Sequence, residues 1–126
     1  MALSSNIIEQ QGGKIIRVVM KGELDTVTAP DCERDLAAAV RPGMEMLILD
    51  MKELDYISSA GLRIVFKAAK QTKAQGARFA LANRQPQIIK VFEIVKALPD
   101  INIFRDDAEL DDYLTAMQEK TIRGED

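Results

Sequence analysis

Apolar and polar positions alternate from Ile15 to Lys21, with Ile16, Val18 and Met20 on one side and Arg17, Val19 and Lys21 on the other. That two-residue period predicts a strand with one covered face. Asn6–Gln10 is a weaker strand, and Gly12-Gly13 between the two is a turn signal, so the pair reads as a hairpin. The period then changes. Thr28-Ala29-Pro30-Asp31 has a capping hydroxyl, a first-turn proline and an acid at the positive helix end, and Cys32, Leu36, Ala39 and Val40 continue as a helical stripe that stops at Pro42-Gly43. Met46–Asp50 shows no alternation, as in a central strand covered on both faces. A helix over Leu62–Gln75 turns Leu62, Val65, Phe66 and Ala69 inward and ends at Gly76, before a strand over Arg78–Ala82. Such a strand–helix–strand unit is a parallel, right-handed crossover.

Pro86 opens a third helix carrying Ile88, Val91, Phe92 and Val95, closed by Pro99. Asn102-Ile103-Phe104 is a last short strand. Asp106 or Asp107 starts a fourth helix that turns Leu110, Tyr113, Leu114 and Met117 inward, and Thr121–Asp126 is expected to fray. No linker or repeat divides the chain. The expectation is an α/β fold in one domain over residues 1–126, with its core at about 6–118: a mixed four- to five-stranded sheet packed by about four helices.

Composition narrows the function. The 126 residues carry a net charge of −3, with 47% apolar and 29% charged residues, so no basic field draws the chain to nucleic acid or anionic lipid. There is no histidine, the commonest general base and metal ligand. Cys32 is alone and falls on an apolar stripe, which suits a small core residue better than a nucleophile. Glu23, Asp25, Asp50, Glu53 and Asp55 form no tight calcium-type loop. The expectations are no metal, no cofactor and no enzymatic activity. No apolar run approaches the roughly 20 residues of a membrane span, and Met1–Ser5 lacks the charged and apolar regions of a leader, so a cytoplasmic protein is expected.

Candidate chemistry gathers at Tyr56-Ile57-Ser58-Ser59-Ala60-Gly61-Leu62, where an apolar strand hands over to a helix. The first N–H groups of a helix lack internal partners and its dipole end is positive, so a phosphoryl group is tolerated there while changing the surface charge abruptly. Ser59 suits either a helix cap or a phosphoacceptor, and Ser58 is its neighbouring alternative. Gly61 suits a close approach by backbone or partner. Asp25 suits a turn former whose carboxylate satisfies local backbone N–H groups. Arg63, Lys67 and Lys70 form a basic stripe on the exposed side of the helix.

Two motifs resemble the STAS domain family, and within it the bacterial anti-sigma-factor antagonists. Gly22-Glu23-Leu24-Asp25 followed by Thr28-Ala29-Pro30 is similar to the family's G-E-[LI]-D loop and following helix. Leu54-Asp55-Tyr56-Ile57-Ser58-Ser59-Ala60-Gly61-Leu62 is similar to its D-S-[ST]-G-L phosphorylation loop, and the order of elements agrees over about residues 6–118. Aligned on Gly61-Leu62, the resemblance puts the phosphoacceptor at Ser59, with Ser58 replacing the family's acid and Ala60 its second hydroxyl. It implies partner switching. The unphosphorylated chain binds an anti-sigma factor that is also a serine kinase of the histidine-kinase-like ATPase type, phosphorylation releases it, and a PP2C-type phosphatase resets the cycle. The implied docking surface comprises Asp25, Ser58, Ser59, Gly61, Leu62 and Arg63. The alternatives are a soluble accessory subunit of a membrane transport complex and a small-molecule or nucleotide sensor.

Overall fold

The computed structural model describes residues 3–94 and 102–122. Five strands form one sheet in the order β1-β2-β3-β4-β5: β1 (Leu3–Gln10), β2 (Ile15–Leu24), β3 (Met46–Ile57), β4 (Arg78–Ala82) and β5 (Asn102–Phe104). The hairpin partners β1 and β2 are antiparallel, and every later pairing is parallel. Four α-helices accompany the sheet: α1 (Ala29–Ala39), α2 (Ser59–Ala74), α3 (Pro86–Ile94) and α4 (Asp107–Ile122). This is the mixed, helix-packed sheet the hydrophobic periods predict. Val95 and Pro99, expected to extend and close α3, lie outside the described residues. So do the last four positions of the expected tail, whereas Thr121 and Ile122 continue α4.

The two faces of the sheet bury different things. On one, Ile16, Val18 and Met20 of β2 and Leu47, Leu49 and Met51 of β3 meet Cys32 and Leu36 of α1, Leu62 and Val65 of α2, and Ile88 and Phe92 of α3. On the other, Ile15, Met46, Ile48, Ala80 and Ala82 meet Phe104 and Leu110, with Tyr113 and Leu114 of α4 partly buried against them. Phe104 and Tyr113 pack their rings 5.1 Å apart at a tilt, a favourable aromatic geometry. Each fully buried large aliphatic side chain here is worth about 1.5–3 kcal/mol relative to exposure.

Boundaries differ from the sequence expectation chiefly at one end of the sheet, where β1 already begins at Leu3 and not at Asn6. β2 and β3 run on to Leu24 and Ile57, beyond the expected Lys21 and Asp50, and α2 starts at Ser59 instead of Leu62. Their pairing shifts register between Val19 and Lys21 and again between Gly22 and Glu23, where Gly22 takes φ 113°. A bulge places two successive residues of one strand against one of the other and so destroys the two-residue period. In β3 the exposed pairs Lys52-Glu53 and Asp55-Tyr56 alternate with buried Leu54 and Ile57, a spacing of three that does not read as a strand.

Candidate functional site

The bulged extension carries β2 and β3 in parallel to the same end of the sheet, so the loops that follow them lie side by side. Glu23 pairs with Tyr56 and Leu24 with Ile57, and the Ser58 N–H donates to the Leu24 carbonyl at 2.9 Å. Residues more than thirty positions apart are thereby joined through backbone.

Gly61 locks the joint. It is buried, and a Cβ built there would lie 2.7 Å from Leu24 Cγ and 2.9 Å from both Ile57 Cγ1 and the Leu24 carbonyl oxygen. The glycine lets the first turn of α2 rest directly on the end of β2. Leu62 is also buried, packed in the core beneath α2. Of the sequence-predicted site residues, Gly61 and Leu62 therefore set where the helix starts, while Ser59 and Arg63 are exposed and Ser58 and Asp25 are partly exposed.

The two hydroxyls do different jobs. Ser58 is the cap: its backbone is extended, and its Oγ accepts from the Gly61 N–H at 3.2 Å. This corrects the sequence expectation that Ser59 caps the helix. Ser59 already has helical backbone as the first residue of α2, which turns its side chain out of the capping position and leaves it exposed. Arg63, one turn along at i+4, is exposed and makes no ion pair among the described residues. Lys67, in the same stripe, pairs with Glu33 of α1 at 3.3 Å.

Asp25 organises the neighbouring loop. Its Oδ1 accepts from the N–H groups of Val27 at 2.9 Å and Thr28 at 3.0 Å, an Asx-type turn. The hydroxyl of Thr28, expected to cap α1, instead accepts from the Asp25 N–H at 2.9 Å and donates to the Glu23 carbonyl at 2.9 Å. It serves the loop, and Asp25's other oxygen, Oδ2, receives no hydrogen bond from the described residues. The Thr28 N–H, foremost among these donors, holds the Asp25 carboxyl below its ordinary pKa and keeps it anionic.

On the side away from β2, the end of β3 projects past β4, which pairs only with Met46–Asp50. Two glutamines ahead of and within α3 serve the projecting backbone. Gln85 Nε2 donates to the carbonyls of Lys52 at 3.0 Å and Leu54 at 2.9 Å, and Gln87 Nε2 to that of Asp55 at 3.2 Å. Sequence reasoning missed both, because a glutamine near a helix start carries no signal until the strand edge it serves is known.

It also missed a polar clasp under α4. Arg17 of β2 donates through Nη2 to Asp50 Oδ2 at 2.6 Å and to Asp107 Oδ1 at 2.7 Å. Asn83 Nδ2 reaches Asp50 Oδ1 at 3.1 Å and Asp107 Oδ1 at 2.8 Å, and Lys52 Nζ reaches Asp107 Oδ2 at 3.0 Å. Burial raises the Asp50 carboxyl, yet the bonds from Arg17, the Lys52 N–H and Asn83 outweigh it and hold the pKa low. Asn83, Lys52 and Arg17 hold Asp107 well below the usual carboxylate range. Both Asp50 oxygens are thus engaged in this clasp. Among the described residues no three of His, Cys, Asp or Glu are placed to hold a metal ion. Cys32 is buried, and burial, with Asp35 nearby, pushes its thiol up to about 12, far from a reactive thiolate. No helix among the described residues is long and apolar enough to cross a membrane.

Comparison with known proteins agrees with this geometry. The chain is 40% identical over 75 residues to a Bordetella bronchiseptica protein provisionally named an anti-sigma factor antagonist, BtrV; the match covers 60% of this chain and 65%, just under two thirds, of that protein. It is 29% identical over 99 residues to the anti-sigma-B factor antagonist of Bacillus subtilis, covering 79% of this chain and 89% of that one. In fold it is similar to the Bacillus cell-fate determinant SpoIIAA in its phosphorylated form, with a TM-score of 0.66 at 20% identity over 88% of this chain and 99% of the other. The STAS domain family model matches residues 6–110, so the chain, with its bulged β2–β3 end and capped α2, belongs to the STAS domain family.

Proposed function

We propose that this chain is an anti-sigma-factor antagonist that binds its anti-sigma factor when unphosphorylated and releases it when Ser59 is phosphorylated. The observation that carries the reading is the pairing of an exposed Ser59 hydroxyl at the start of α2 with the Asp25 loop, joined by the Ser58 N–H to Leu24 carbonyl bond of 2.9 Å. One partner surface can span both. Relatives named as antagonists support the partner class, and a structural neighbour solved in a phosphorylated form supports the modification.

Ser59 is favoured over Ser58 on physical grounds. Ser58 Oγ is engaged at Gly61 N–H, so phosphorylating it removes a cap worth about 1 kcal/mol. Ser59 is exposed and structurally unengaged. A phosphate there adds about −1.5 to −2 charges beside the positive end of α2, with Arg63 one turn away, so the fold accommodates it. At the docking surface the same charge must be desolvated or set against partner acids, which weakens the complex.

The chain is then a binding module and phosphoacceptor, not an enzyme. Its anti-sigma factor, a serine kinase of the histidine-kinase-like ATPase type, supplies ATP and metal, and a PP2C-type phosphatase resets Ser59. Dependence on such a kinase places the chain in the cytoplasm. Incubation with the cognate kinase and ATP, followed by phosphopeptide mass spectrometry across Ser58 and Ser59, tests the assignment. Phosphate on Ser59 is expected; phosphate confined to Ser58, or absent, overturns it.

A further inference from the structure

Among the described residues, the large hydrophobic side chain most given up to solvent is Val27, at 84% exposure, and the next is Tyr56, at 50%. Both lie at the end of the sheet that carries Ser59. Singly exposed apolar residues are ordinary. Val27 differs in how it is held. Its own N–H donates to Asp25 Oδ1 at 2.9 Å, the following Thr28 N–H donates to the same oxygen at 3.0 Å, and the Ala29 N–H closes onto the Asp25 carbonyl at 2.8 Å. Thr28 Oγ1 ties the turn back to Glu23 and Asp25. A β-branched side chain is stiff at χ1, so a fixed backbone presents its two methyl groups in nearly one orientation. Such a group loses little freedom when it is buried by a partner. It belongs to neither core cluster, so the fold gains nothing visible by displaying it.

We infer that Val27 is the apolar anchor of the anti-sigma-factor interface, seated in an apolar slot of the partner beside a donor that meets the open Oδ2 of Asp25. This rests on the reading of the chain as an anti-sigma-factor antagonist and names a contact that neither docking motif supplies. The placement fits the anatomy of protein interfaces, where desolvated apolar groups are ringed by polar ones. Val27 stands two residues from Asp25, in the loop that the Leu24–Ser58 bond holds against the start of α2. It is thus continuous with the surface around Ser59.

The test is a titration of the full chain against its purified cognate anti-sigma factor, comparing wild type with Val27→Thr, Val27→Ala, Asp25→Ala and Ser59→Asp. Threonine keeps the size and β-branching but puts a hydroxyl into the slot, and alanine removes two methyl groups. About a tenfold loss of affinity is expected for each, from apolar area left unburied or a hydroxyl left without a partner. Unfolding midpoints are expected to stay at the wild-type value, because Val27 packs in no core. If Asp25→Ala and Ser59→Asp weaken binding while both Val27 variants bind as wild type, the anchor is wrong and the antagonist reading stands. If the wild-type chain does not bind the anti-sigma factor, the antagonist reading fails and the anchor falls with it. A binding loss matched by a lowered unfolding midpoint in Val27→Thr also overturns the inference, since Val27 would then be a residue of the fold.

Discussion

Two polar regions of this domain use their aspartates to opposite ends. Under α4, Arg17, Asp50, Asn83 and Asp107 close on one another, and Asp50 is only 3% exposed. No buried side-chain nitrogen or oxygen among the described residues lacks a partner. At the far end of β2 and β3, Asp25 spends one carboxylate oxygen on its own turn and leaves the other open, Ser58 is engaged, and Ser59 is not. A closed network fixes a packing arrangement; a half-used one has bonding capacity left for another molecule. The contrast separates residues that hold this fold from residues that present it, and it predicts that variants in one region change stability and those in the other change binding.

The largest expected effect is at the clasp. Asp50→Ala strands the mostly buried Arg17 guanidinium with Asp107 alone and is expected to cost about 3 kcal/mol in denaturant unfolding, with affinity of the folded chain for the anti-sigma factor unchanged. A large affinity loss without a stability loss would erase the distinction between the two regions. The clasp also sets an acid response. Asp50 and Asp107 both have folded pKa values below their unfolded ones, so their stabilisation is fully present above the unfolded value of about 4 and is lost as pH falls toward the folded values. Below about pH 4 the unfolding free energy of wild type should therefore fall more steeply with decreasing pH than that of Asp50→Ala.

Next is the joint itself. Gly61→Ala drives a methyl group into Leu24 and Ile57, and is expected to cost about 2 kcal/mol and to weaken binding as well, because α2 can no longer rest on the end of β2. Normal stability in this variant would show that the joint yields easily and does not position Ser59. Asp25→Ala should do the reverse of Asp50→Ala: affinity for the anti-sigma factor falls at least tenfold while the unfolding midpoint stays near wild type. Unchanged binding with a large stability loss would make Asp25 a turn residue alone. The smallest effect is at Ser58→Ala, expected to cost about 1 kcal/mol of stability through the lost cap and to leave phosphorylation on Ser59 intact.

The regular parts of this structure are written locally. β4 and β5 begin and end where the sequence places them, and the stripes of α1 and α2 bury Cys32, Leu36, Leu62 and Val65 as their spacing requires. What the sequence hides is long-range. The extension of β3 to Ile57 is masked by the bulges that break its alternation, and this extension is what brings Ser59 beside Asp25. The motifs point to both loops, but their contact depends on a register between residues more than thirty apart. The clasp joins positions 33 and 90 residues distant, and its only local hint is a carboxylate, Asp50, ending a strand buried on both faces, which must find a partner somewhere. The cap falls on Ser58 and not on Ser59 because the exact helix start, which the sequence does not mark, decides which hydroxyl reaches the orphan N–H. Val27 is an apolar residue outside every stripe, a signal visible only once the stripes are assigned.

On the antagonist reading a charge at Ser59 switches binding without disturbing the fold. The most direct test is isothermal titration of the anti-sigma factor with the chain before and after stoichiometric phosphorylation, alongside thermal unfolding of both forms. The phosphorylated chain is expected to lose at least tenfold in affinity while its melting temperature stays near that of the unmodified chain. Equal affinity in the two forms, or a loss of binding matched by a collapse in melting temperature, would contradict it.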